Sequence, residues 1–123
     1  MIDAESDLQQ DIPGIEVNAA VSRQWSDGEA ILQQLKTEGE LGAVVVVELG
    51  TNGPITSEDF STMMSILSGA SRVVFVTAHV DQPWQDQVNA VLYSGAQSSA
   101  GVVIADWYAL GSQNPDWFYS DDT

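Results

Sequence analysis

The chain contains no cysteine, and among its 123 residues only Arg23, Lys36 and Arg72 carry a fixed positive charge. The first absence excludes disulfides, thiolate metal sites and cysteine nucleophiles, and it leaves the redox compartment open. The second leaves 18 acidic residues almost unopposed, for a net charge of −15. No basic footprint exists to offset nucleic-acid phosphates or the headgroups of an anionic membrane, so neither is expected as a partner. The acidic residues are spread along the chain, the pattern of a solubilising surface. No apolar run is long enough to span a bilayer, and the N-terminus lacks the basic-then-apolar order of a secretory leader.

What the chain does have is enough apolar content to fold. Hydrophobic residues make up 44 % of it, which argues against disorder, and 123 residues suffice for one domain with a real core but not for two. The whole of 1–123 reads as a single domain. A short helix is expected from Ala4 to Gln10, closed by Pro13-Gly14. Ile15 to Val21 reads as a strand. Ser26 or Asp27 caps a helix with apolar positions Ala30, Ile31, Leu32 and Leu35 that ends near Gly39. Ala43 to Glu48, with four consecutive valines, reads as a strand buried on both faces. Phe60, Met63, Met64 and Leu67 form the inner face of the next helix, the methionines as core fillers rather than ligands. RVVFVT (Arg72 to Thr77) is a second buried strand. Pro83 opens a helix lined by Val88, Val91, Leu92 and Ala96. VVIA (Val102 to Ala105) is a third, followed by a polar, aromatic tail from Trp107. This strand–helix alternation with short connections predicts a three-layer α/β domain around a parallel sheet.

The segment from Ala43 to Thr56, AVVVVELGTNGPIT, carries the most functional information. Its strand stops at Gly50 and a tight polar turn follows, with Thr56 or Ser57 placed to cap the next helix. Ligands of open α/β sheets bind just beyond the carboxyl ends of strands, so Asn52 stands where its amide can donate to a reacting oxygen. The alternative reading is a loop asparagine that stabilises its own turn.

The elements VSRQ (Val21 to Gln24), ELGTNGPIT (Glu48 to Thr56), PWQDQVN around Trp84 and Asn89, ADW (Ala105 to Trp107) and PDWFYSDDT (Pro115 to Thr123) occur in that order. Together they resemble the extracellular SGNH-type (GDSL-like) domain of bacterial peptidoglycan O-acetyltransferases, the domain attached to membrane acyltransferase-3 proteins. The resemblance covers nearly the whole chain. It implies a flavodoxin-like sheet and an activity that moves an acetyl group to or from a cell-wall sugar hydroxyl through an acyl-serine. It also implies a substrate that is a cell-wall polysaccharide or small acyl ester, a membrane acyltransferase domain in the same parent chain, a location on the extracellular face of the membrane, and no cofactor or metal. Asn52 matches the oxyanion asparagine and Gly50 the glycine before it. VSRQ matches the second block, so a backbone N–H near Ser22 or Arg23 is a second donor. Asp121 matches the triad aspartate.

The departures bear directly on activity. The family's Gly-Asp-Ser block is absent, and Asp121-Asp122-Thr123 stops one residue short of the expected histidine. The chain therefore lacks both nucleophile and base, and as written it is expected to be inactive. The missing block belongs to the first strand, the centre of a sheet ordered 2-1-3-4-5. Without it, Ile15–Val21 and Ala43–Glu48 lose their shared neighbour. They are then expected either to pair directly or to take a neighbour from another chain, which amounts to self-association through unpaired strands. His79, the sole histidine, lies just past RVVFVT at the edge of the sheet where catalytic residues sit; it reads either as catalytic or as a loop or partly buried histidine. Asp106 and Asp121 admit a reading as a carboxylate pair or as metal ligands, though one carboxylate ending a strand and another in a tail are weak evidence for metal. Trp84, Trp107 and Trp117, with Phe118 and Tyr119, either stack on a sugar or cover the edge of the sheet. Two non-catalytic readings stay open: a carbohydrate-binding module using Asn52 and the tryptophans, and a structural α/β domain.

Overall fold

A computed structural model describes residues 1–119. Five helices and three strands alternate along it: α1 (Glu5–Asp11), α2 (Trp25–Glu38), β1 (Val44–Val47), α3 (Ser57–Ile66), β2 (Arg72–Val76), α4 (Gln85–Ser98), β3 (Val102–Ala105) and α5 (Trp107–Ser112). The strands form one parallel sheet in the order β1-β2-β3, with Val46 beside Val74 and Val74 beside Val103.

Local chemistry sets the helix ends. Thr56 caps α3: the Asp59 N–H donates to Thr56 Oγ1 at 3.1 Å and the Thr56 N–H donates to Asp59 Oδ2 at 2.7 Å. At the start of α2, Asp27 Oδ2 accepts from the Gln24 N–H at 2.9 Å, so the helix begins at Trp25, ahead of the expected Ser26 or Asp27 cap. It ends on Gly39 in the left-handed conformation.

Helices α2, α3 and α4 pack on one face of the sheet. Val47, Val73 and Phe75 point into that layer and are buried with Trp25, Phe60, Met63, Val88 and Leu92. Phe75 is the centre: its ring stacks on Trp25 at 6.0 Å and meets Phe60 at 5.0 Å. Each fully buried side chain of this size stabilises the fold by about 1.5–3 kcal/mol relative to exposure. Met63 is 0 % exposed, a core filler as expected.

The opposite face departs from expectation. Val44, Val46 and Val103 are 59 %, 45 % and 42 % exposed, so the valine run is buried on one face rather than two. The α/β class and parallel sheet hold, and a layer of helices covers one side of it among the described residues. A continuous valine run fits double burial, but only partner elements decide whether burial occurs.

Ile15 to Val21 is the second correction. Ile15, Val17 and Ala19 are half-buried and alternate with exposed Glu16, Asn18 and Ala20, the period of a strand. Yet Glu16 to Val21 makes no backbone–backbone hydrogen bond among the described residues, and β1 pairs only with β2. Direct pairing of Ile15–Val21 with Ala43–Glu48 does not occur. The segment has strand periodicity but lacks a neighbour within reach, and a strand is defined by its neighbour.

Candidate functional site

In a parallel sheet every strand ends at the same edge, and here β1 runs through Glu48 and Leu49 into a single 3₁₀ turn, Gly50–Asn52. The turn lies flat on α4. A Cβ at Gly50 would stand 2.7 Å from Val88 Cγ1 and 3.4 Å from Ala78 Cβ, so only glycine permits this approach. The close contact fixes the backbone that presents Asn52.

Asn52 does not stabilise its own turn. Its Nδ2 donates to the Arg23 carbonyl at 3.1 Å, joining the end of β1 to a loop 29 residues earlier. That loop is held in turn by Arg23, whose Nη1 donates to the Asn18 carbonyl at 2.5 Å, and by Gln24, whose Nε2 donates to the Ser22 carbonyl at 3.3 Å. Ser22 has φ +59°, the left-handed conformation that L side chains seldom adopt. Residues kept in this state cluster at binding sites. The N–H groups of Ser22 and Arg23 find no backbone acceptor among the described residues. Between this loop and the β1 turn lies a groove of about 250 Å³, bordered by Ser22, Arg23, Glu48, Thr51 and Asn52. The structure thus brings together Ser22, Arg23 and Asn52, with Gly50 beneath them.

An amide NH₂ has two hydrogens. One serves Arg23, which locks the side chain, and the other is left for a groove ligand. Together with backbone N–H groups at Ser22 and Arg23, this makes a preorganised set of donors without a formal charge. Such a set is suited to an oxygen that becomes negative during reaction.

Other sequence candidates fall elsewhere. Trp84 is half-buried against the core, and its Nε1 is enclosed without a hydrogen-bond partner among the described residues. Trp107 and Trp117 stack on each other at 6.3 Å beyond β3. His79 stacks on Phe118 at 4.3 Å, with its Nδ1 enclosed and unpartnered among the described residues. Asp121 lies outside the described residues. No group of three or more His, Asp or Glu side chains placed to hold a metal occurs among the described residues.

Sequence reasoning missed the roles of two polar devices at this edge. Asn89, buried in α4, donates its amide to the Ala78 carbonyl at 2.9 Å and accepts the Ala78 N–H at 2.8 Å, clamping the loop after β2. Its signal was its place in PWQDQVN, at a position where the helix faces the core. Asp106 caps α5 by accepting from the Ala109 N–H at 3.0 Å. It also accepts from Thr77 Oγ1 at 3.1 Å and from the Tyr93 hydroxyl at 2.7 Å. The Tyr93 hydrogen bond, with those of Ala109 and Thr77, holds the Asp106 carboxyl below its ordinary range despite partial desolvation. Burial, then Asp106 itself, pushes the Tyr93 hydroxyl up to about 12. An aspartate just before a helix is an N-cap signal, and α5 within the supposed tail was detectable from it.

Comparison with known proteins agrees with the parallel α/β fold. The fold superposes on the C-terminal catalytic domain of peptidoglycan O-acetyltransferase A from Streptococcus pneumoniae, solved with a methylsulfonyl adduct, with a TM-score of 0.85. The match covers 98 % of this chain and 72 % of that one at 22 % identity. No family model matches the chain. In sequence it is 30 % identical over 121 residues to the peptidoglycan O-acetyltransferase OatA of Listeria monocytogenes, covering 98 % of the chain and 19 % of that protein. It is 29 % identical over 122 residues to the O-acetyltransferase OatA of Staphylococcus aureus, covering 98 % of the chain and 20 % of that protein. Its sequence relatives are peptidoglycan O-acetyltransferases, to a part of which it is similar over 98 % of its own length. It spans about a fifth of the length of these curated relatives.

Proposed function

We propose that this chain supplies the oxyanion side of an acetyl-transfer site, and that the nucleophile and base come from chain outside residues 1–123. In this reading a serine Oγ attacks the acetyl carbonyl, and a base takes the serine proton. The carbonyl oxygen becomes negative and is held by Asn52 Nδ2 and a backbone N–H at Ser22 or Arg23. Collapse expels the donor alcohol and leaves an acyl-serine. A cell-wall sugar hydroxyl then accepts the acetyl group, or water does, in an esterase. The substrate is a cell-wall polysaccharide or a small acyl ester, and a membrane acyltransferase domain in the parent chain delivers acetyl groups on the extracellular face. Asp121 is the triad aspartate of this scheme.

The observation that carries the reading is the Asn52–Arg23 hydrogen bond, which fixes an amide beside the left-handed Ser22 loop at the carboxyl edge of the sheet. The open edge of β1 next to this groove is the seat for the strand bearing the nucleophile, and in its absence the seat for self-association. The test is turnover of p-nitrophenyl acetate. The 123-residue chain is expected at background, because it holds no serine–histidine pair of this kind. Turnover by the chain alone that Asn52→Ala abolishes would overturn the assignment of the nucleophile to another segment.

A further inference from the structure

The segment Pro115–Tyr119 is held to the body of the domain mainly through one ring. Within it only Phe118 is half-buried; Pro115, Asp116, Trp117 and Tyr119 are exposed. Its backbone hydrogen bonds are local: the Trp117 N–H donates to the Asn114 carbonyl at 3.0 Å and the Phe118 N–H to the Pro115 carbonyl at 3.3 Å. The Phe118 ring, by contrast, meets other elements on several sides. His79, on the loop after β2, stacks on it at 4.3 Å and 14°. Trp107, the first residue of α5, meets it at 5.6 Å and 59°. Gly111 of α5 leaves room for the stack, since a Cβ there would stand 2.8 Å from Phe118 Cζ and 3.0 Å from His79 Cδ2. Aromatic pairs in such contact gain stability beyond the area they bury. His79 Nδ1 is enclosed and meets no polar partner among the described residues. Nothing therefore holds the imidazole through that nitrogen, and its contact with Phe118 is made by its face.

We infer that His79 is a positioning residue: its ring latches the C-terminal segment through Phe118 and thereby sets the place of Asp121 in the reaction. The loop that carries His79 follows β2, the neighbour of β1, and the turn after β1 carries Asn52. Asp121 comes three residues after Phe118. Three residues of chain extend at most about 10 Å, so fixing the Phe118 ring limits how far Asp121 stands from this edge of the sheet. Rate depends steeply on such placement, because a shift of about 1 Å in a catalytic group costs up to about 10²-fold. The inference rests on the acetyl-transfer reading for the role it gives Asp121.

The experiment is a double-mutant cycle on turnover of p-nitrophenyl acetate by the complete protein encoded by the open reading frame that contains this chain. His79→Ala is expected to lower kcat by about tenfold or more, with KM changed by less than about twofold. His79→Phe, which keeps a stacking face, is expected to stay within about threefold of the parent. In an Asp121→Asn background His79→Ala is expected to add no further loss, because residues that act as a unit are not additive. Thermal melts of each variant check that the fold is intact. A parent-like kcat in His79→Ala overturns the inference. Equal losses in His79→Phe and His79→Ala do so too, as does a full further loss in the Asp121→Asn background. Failure of the acetyl-transfer reading is seen separately, as an unchanged kcat in Asn52→Ala.

Discussion

Single residues hold the groove in shape. Ser22 pays for its left-handed backbone, a conformation that costs an L-residue about 1–2 kcal/mol and glycine far less. Ser22→Gly is therefore expected to raise stability by up to about 1 kcal/mol, and Ser22→Val to lower it by at least that much, in urea denaturation. Equal stabilities of the two variants would mean that the conformation is unstrained. Gly50 is constrained by contact rather than by φ. With a Cβ only 2.7 Å from Val88 Cγ1, Gly50→Ala is expected to lose about 1–3 kcal/mol. Combining it with Val88→Ala should recover part of that loss, and simple additivity of the two costs would contradict the contact. Asn52 was legible as a site candidate because it follows a buried strand. Its partner was not, because a hydrogen bond to Arg23 across 29 residues is a product of tertiary structure. The left-handed Ser22 was hidden for a related reason: serine carries no sequence sign of positive φ, as glycine would.

At the scale of elements, the strands β1, β2 and β3 and the helices α2, α3 and α4 were readable from periodicity and caps, with ends displaced by one or two residues. The segment Ile15–Val21 was misread because its alternation is genuine while its neighbour is missing. Helix α5 was missed because aromatic content masked the Asp106 cap. That cap makes a pH prediction. The Asp106 carboxyl titrates below its ordinary value in the folded chain, chiefly through the Tyr93 hydroxyl. A depressed folded pKa gives stability that is present above the unfolded pKa and is lost as pH falls through the folded one. Stability is expected to fall below about pH 4, and Asp106→Asn should flatten that part of the profile. Glu29 works with the opposite sign, since burial raises its pKa. The difference between parent and Asp106→Asn isolates the Asp106 contribution. Tyr93→Phe should cost about 0.5–1.5 kcal/mol near neutral pH, the worth of one hydrogen bond. An unchanged acid profile in Asp106→Asn would show that the capping network does not reach the stability of the domain.

For the whole molecule, the sheet has edge strands at β1 and β3 and one valine face without a helix over it among the described residues. Both expose surface that a parallel sheet normally buries. The charge of −15 opposes association but does not neutralise an apolar face. The isolated chain is expected to self-associate with concentration in sedimentation velocity, and a Val46→Lys variant to shift it toward monomer. A parent chain that stays monomeric at high concentration would indicate that edge and face are stable as they stand. Composition and motif order located this molecule among its relatives, whereas the covering of its sheet depends on contacts that no pattern within residues 1–123 encodes.

The central claim is that Asn52 holds the developing oxyanion of an acetyl-transfer reaction whose nucleophile lies outside this chain. Its most direct test is the turnover number for p-nitrophenyl acetate of the complete protein encoded by the open reading frame that contains this chain, with and without Asn52→Ala. The account predicts a kcat lower by about 10²–10³ in the variant with little change in KM. An unchanged kcat in Asn52→Ala would contradict it.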